Sequence, residues 1–78
     1  MSDRPAFPRD AFAITPSNTT VFPQDTTVWV GVTGDVVVVT AIGTQVTFAA
    51  VAAGTVIPVM VKQVRATSTT ATGLIGLR

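Results

Sequence analysis

The sequence predicts a small all-β protein: an antiparallel β-sandwich or barrel of five to six short strands, preceded by an extended N-terminal arm. Three observations predict it. Fourteen valines, fourteen threonines and four isoleucines make 32 of the 78 residues β-branched, and such side chains fit a pleated, half-buried surface. From Thr26 onward, apolar residues alternate with period two or come in short bursts, the signature of strands. Glycine-containing turn signals interrupt the bursts often enough to leave no window for a long amphipathic helix.

Residues 1–23 stand apart from the rest. They hold four of the five prolines (Pro5, Pro8, Pro16, Pro23) and three of the four phenylalanines (Phe7, Phe12, Phe22). Proline removes a backbone donor and biases the preceding residue toward extended backbone, so neither a helix nor a central strand is expected there. Three phenylalanines are costly to leave in water. The expectation is an extended arm over 1–23, its rings lying in grooves on the core, on a neighbouring copy or on another protein. The plainer reading is a terminus whose Phe12 and Phe22 cover their own core. Residues 24–78 form the β domain.

Within that domain Val28, Val30 and Val32 alternate with Thr27, Trp29, Gly31 and Thr33, a strand with two distinct faces. Gly34-Asp35 followed by 36–41 reads as a hairpin about a tight turn. Ile42-Gly43-Thr44 punctuates next, and 45–50 places Val46 and Phe48 between Gln45 and Thr47. Ala52-Ala53-Gly54 is a further turn signal. Residues 55–66 are a longer strand candidate that Pro58 must split, bulge or hold to an edge, since proline cannot donate to a ladder. Residues 67–72 (TSTTAT) read as a polar connector, and 73–77 as a short closing strand. The valines at 36–39 do not alternate, so both faces of that strand need cover, from the core on one side and a second sheet or subunit on the other.

Composition excludes most chemistry. There is no His, Cys, Glu or Tyr, one Lys, three Ser and four scattered Asp. Nucleophilic and acid–base catalysis need a nucleophile with a nearby base, and zinc or calcium needs clustered ligands. No enzyme, metal site or cofactor is therefore expected. The net charge is +1 and Lys62 and Arg65, three apart on a strand, point to opposite faces. That is too light a basic footprint for nucleic acid. Residues 36–61 carry no charge, yet Gly43, Gly54, Pro58 and five polar residues divide the stretch into strand-sized pieces, which argues against a membrane span. The start, MSDRPAFPRD, shows no basic segment followed by an apolar one, so no secretory leader is expected. Asn18-Thr19-Thr20 fits a glycosylation acceptor, and without a leader the match reads as accidental.

What remains is assembly. Without disulfides, a chain this small balances burial against ordering entropy near zero, and charged residues are 12% where about a quarter is usual. Both point to a protein stabilised by copies of itself or by another protein. Candidate interface residues are Phe7, Phe12, Phe22, Trp29, Val36 and Val38. Trp29 projects opposite Val28 and Val30, as an interface anchor or as core.

The motif order resembles a known family. "AITPSNTTVF" from Ala13, V-G-V-x-G-D at 30–35, V-T-F at 46–48, A-G-T at 53–55, P-V-x-V-K at 58–62 and A-T-x-T-T-A-T at 66–72 resemble the head spike base proteins of gene transfer agents and related alphaproteobacterial phages. The resemblance runs from Ala13 to Leu77. It departs at Arg78, where an aromatic or apolar residue is expected, and in residues 1–12. It implies a virion structural protein made in the host cytoplasm and placed on the capsid surface. There it would form a homo-oligomeric ring, five copies being one option, that contacts the major capsid protein and carries a spike fibre. It implies no enzyme activity, cofactor, nucleic acid or membrane partner. Two alternatives belong to other classes: a tail or baseplate β module binding a receptor glycan, and a monomeric adaptor.

Overall fold

The structure, a computed structural model, describes residues 10–78. Six strands are present: β1 (Ala11–Ala13), β2 (Thr27–Trp29), β3 (Gly34–Thr40), β4 (Gln45–Val51), β5 (Val61–Val64) and β6 (Ile75–Leu77). They form two three-stranded antiparallel sheets, ordered β1-β6-β2 and β4-β3-β5. The predicted all-β class and strand count hold.

The chain joins the two sheets through the segment that contains Pro58. Before the proline it runs beside β2, where the Val30 amide donates to the Thr55 carbonyl and the Ile57 amide to the Val28 carbonyl. After it, Val61 and Thr26 exchange both backbone bonds, and the chain continues as β5 along β3. The Val59 amide donates to the Ile57 carbonyl across Pro58, a three-residue turn that uses the one position with no amide hydrogen to offer. Proline thus marks the corner where one extended segment changes sheets.

The hairpin of the second sheet forms at the 42–44 punctuation and not at Gly34-Asp35. β3 and β4 are joined by 41–44, where the Gly43 amide and the Thr44 amide donate to the carbonyl and hydroxyl of Thr40. The hairpin expected about Gly34-Asp35 does not exist: both residues lie inside β3, and β2 and β3 belong to different sheets. The glycines serve a different end. A Cβ on Gly31 would stand 2.5 Å from the Gly73 carbonyl oxygen, and one on Gly34 2.5 Å from the Ala71 nitrogen. Both positions let the 70–73 backbone lie directly against the chain between β2 and β3, which a side chain would block.

That connector is bonded tightly to β3. Thr70 and Ala71 amides donate to the Asp35 carbonyl, and the Asp35 and Val37 amides donate to the hydroxyls of Thr70 and Thr69. The Asp35 carboxylate accepts from the Ala50 amide at 2.8 Å. Ala50 has φ +51°, and the β3–β4 register shifts beside it between Gly34 and Val36, so the carboxylate fastens an otherwise unfavourable bulge.

The core is aliphatic. Ile14, Val28, Val30, Val36, Val38, Ile57, Val61, Val64, Ala71 and Leu74 form its buried cluster, with Phe12, Phe22, Val46, Phe48, Val51 and Val59 packed against it. β3 is the central strand of its sheet, with Val36 and Val38 in the core and Val37, on the other face, also buried. Three of the four unalternating valines are therefore buried within one chain, and Val39 is half-buried.

Residues 10–23 lie against the rest of the chain, bending at 18–19 and 23–24, and contribute Ile14 to the core. β1 is an edge strand on β6. Beyond it, the Ser17 and Phe22 amides donate to the carbonyls of Val64 and Lys62 along the outer side of β5. Asn18 fixes the far loop: its side-chain oxygen accepts from the amides of Ala66 and Thr67, and its nitrogen donates to the Thr67 hydroxyl. An asparagine so committed is a structural clasp and not a free acceptor for glycan. Asn18→Ala is expected to lower stability by about 1–2 kcal/mol, read as a drop in thermal midpoint by circular dichroism; an unchanged midpoint would show the clasp to be dispensable.

Candidate functional site

Acidic side chains are scattered through the described residues. No group of three or more His, Cys, Asp or Glu comes together among them, and no helix there is long and apolar enough to cross a membrane. Their closest opposite charges, Asp10 and Arg78, meet at 3.7 Å at the sheet end. The guanidinium of Arg78 lies 4.3 Å above the centre of the Phe12 ring. Phe12 in turn meets Phe22 edge to face, with centroids 5.7 Å apart, and its ring occupies the space a side chain on Gly76 would need. This stack covers the chain's own core by dispersion and cation–π attraction. It also gives Arg78 a physical role: it caps an aromatic ring.

The candidate interface residues separate into three groups. Phe7 lies outside the described residues. Phe12 and Phe22 are partly buried against the core. Val36 and Val38 are fully buried inside it, so their side chains have no surface left for a neighbour. They belong to the core because their face packs in one cluster with Val28, Val30, Ile57 and Leu74 of the same chain. Trp29 alone projects outward, half-buried.

Around Trp29 the strand registers build a surface that sequence periodicity did not reveal. Residues directly opposite in antiparallel strands share a face. Ala13 pairs with Ile75, Ile75 with Trp29, and Trp29 with Val56; in the adjacent row Ala11 pairs with Leu77 and Leu77 with Thr27. Both rows lie on the outer face of the first sheet, because Val28, paired with Gly76 on the other face, is core. A solvated sheet face normally alternates to polar residues. Among the described residues these two rows carry no charge, and Thr27 is their only polar member.

The surface extends further. The Thr27 hydroxyl donates to the Met60 sulfur at 3.1 Å, and Met60 lines an open apolar cleft of about 440 Å³ with Thr40, Ala41, Ile42, Thr44 and Val59. Ile42, at the tip of the β3–β4 hairpin, is 93% exposed. Its presence in a turn, where polar residues are the rule, is a sequence signal that a reading of 42–44 as punctuation overlooks. Contiguous apolar surface of this kind marks a site of association, and thioether and aromatic side chains are favoured at such sites.

Comparison with solved structures returns a chain of the capsid of a native gene transfer agent particle, determined with C5 symmetry. It superposes with a TM-score of 0.79 and is 32% identical, covering 91% of this chain and 83% of that one. No protein-family model and no curated protein matches the sequence.

Proposed function

We propose, from the premise that this chain belongs to a family of gene transfer agent capsid proteins, that it is the base of a head spike or an equivalent vertex decoration. The family makes it a virion structural protein. In the finer role it would sit as a ring on the outer surface of the shell, bind the major capsid protein through one apolar surface and hold a fibre protein above. The observation that carries this reading is the uncharged outer face of the β1-β6-β2 sheet, centred on Trp29 and Ile75. Uncharged threonine, alanine and aliphatic groups have little hydration to lose on contact, so burying them against a partner gains hydrophobic free energy without the desolvation cost of ions. Contacts of this size are individually modest and become strong when repeated by symmetry.

A structural role also fits the chemistry at hand. Among the described residues Asp10 and Asp25 are exposed, Lys62 is half-buried, and the Asp35 carboxylate is bound to a backbone amide. Imaging of intact particles by electron cryo-microscopy is expected to show this chain at capsid vertices beneath a fibre. Density for it on the tail alone, or absence from the particle, would overturn the assignment.

A further inference from the structure

We propose that copies of this chain join edge to edge, the outer edge of β4 in one copy pairing with the outer edge of β1 in the next; the inference rests on the ring reading above and names the contact that would build it. Each sheet has two edges, and the chain seals one of each. The outer side of β2 is bonded by 54–61, and that of β5 by 17–26. Among the described residues nothing bonds to the outer sides of β1 and β4.

The directions of the backbone groups follow from the ladders. The Thr40 amide donates to the Thr44 carbonyl, so in the alternating antiparallel pattern Val46 and Phe48 bond inward to β3. Gln45, Thr47 and Ala49 direct their N–H and C=O groups outward. On the other sheet, Asp10 and Arg78 exchange backbone bonds and the Ile14 amide donates to the Leu74 carbonyl, which leaves Ala11 and Ala13 facing outward. All five side chains are exposed, small or uncharged. Proteins ordinarily guard such edges with lysine, proline or a covering segment. Neither edge has a charge or a proline within its strand.

Symmetry selects the pairing. Joining β4 to β4 relates two copies by a two-fold axis and stops at a dimer. Joining the open edge of one sheet to the open edge of the other is head to tail, leaves the same two edges at the ends, and repeats until a ring closes. Small side chains on both edges let the backbones approach to ladder distance, and the outer face around Trp29 stays free for the shell or the fibre.

The chain has no cysteine, so single-cysteine variants report the joint without background. The test mixes full-length Ala13→Cys with full-length Thr47→Cys under mild oxidant and follows disulfide formation on non-reducing gels, alongside light scattering of the wild type. Ile42→Cys mixed with Ala13→Cys sets the collision rate. The mixed Ala13→Cys–Thr47→Cys product is expected to form at least about tenfold faster than that control, because paired strands hold opposed Cα atoms within disulfide reach. Preferential coupling of Thr47→Cys to itself would overturn the proposal in favour of a two-fold β4 contact. A Phe7→Cys/Thr47→Cys double variant that closes within one chain would assign the β4 edge to residues 1–9 and likewise overturn it. Wild-type oligomers without the mixed product would refute the edge joint while leaving the ring intact. A wild-type monomer, with no mixed product in purified particles either, would refute both.

Discussion

Gly34→Val is expected to lower stability by about 3 kcal/mol or more, a fall in thermal midpoint of about 12–24 °C for a domain of this size. The added side chain would begin 2.5 Å from the Ala71 nitrogen and 2.7 Å from its Cα. Those are backbone atoms, held by the bonds that Thr70 and Ala71 make to the Asp35 carbonyl, so they cannot rotate away as a side chain could. Relief requires moving the 69–72 connector off β3 and breaking the Asp35, Thr69 and Thr70 bonds together. Gly54→Ala is the calibrating variant. A Cβ there meets nothing within 4 Å, and its cost of about 1 kcal/mol comes only from the left-handed backbone at φ +84°. Thermal melts of the two proteins side by side decide the matter. Equal midpoints would mean that the connector does not pack on β3 as described.

Ile75→Lys is expected to leave the fold intact and to abolish incorporation into particles. Ile75 sits at the centre of the outer face, between Ala13 and Trp29, and is half-buried. The lysine stem can lie over Trp29 while its ammonium reaches water, so the isolated protein loses little. Once a partner covers that face, the same ammonium is stripped of water without a counter-charge. A cost of about 2 kcal/mol per contact is roughly 30-fold in affinity, and a ring that binds through several copies suffers it at each one. Gradient-purified particles from cells producing the variant should contain none of it, against full occupancy by wild type, while its melting curve stays within a few degrees. Normal incorporation would remove the face from the proposed interface. A melting curve that collapses would instead show that Ile75 serves the fold.

The outer face explains why the interface residues were only partly legible in the sequence. Alternation over 27–33 reveals that Val28 and Trp29 point to opposite sides, and both statements hold in the structure. Periodicity cannot say whether the side carrying Trp29 is polar or apolar overall, because its other members, Ile75 and Val56, come from distant segments and are joined to it only by strand register. Val36 and Val38 show the converse. The run of valines reads as covered on both faces, and Val36, Val37 and Val38 are buried while Val39 is half-buried; whether a second subunit or the same chain supplies the cover depends on which distant segments stack on each face. Val36 and Val38 pack with Val28, Val30, Ile57 and Leu74 of the same chain.

The hairpin expected at Gly34-Asp35 failed for a related reason. Gly-Asp between two valine-rich runs is a sound local turn signal. Local chemistry, however, does not distinguish a glycine needed for a turn from one needed because another backbone passes close by. Gly31 and Gly34 are of the second kind, and the passing backbone lies about forty residues further along, at 70–73.

What the sequence determined by itself was therefore whatever depends on neighbours along the chain. That includes the β class, the strand-length segments between turns, the interruption at Pro58, and a composition without His, Cys, Glu or Tyr. Backbone preference and two-residue periodicity act within a few residues, and these features need nothing more. Tertiary structure alone decided which strands share a sheet, that residues 17–26 seal the edge of β5, that no other described residue pairs the outer edges of β1 and β4, and that Ala13, Ile75, Trp29 and Val56 form one uncharged row. Each of those joins segments tens of residues apart. Their partners are selected by the burial and backbone hydrogen bonding of the whole chain, free energies that no local window of sequence contains.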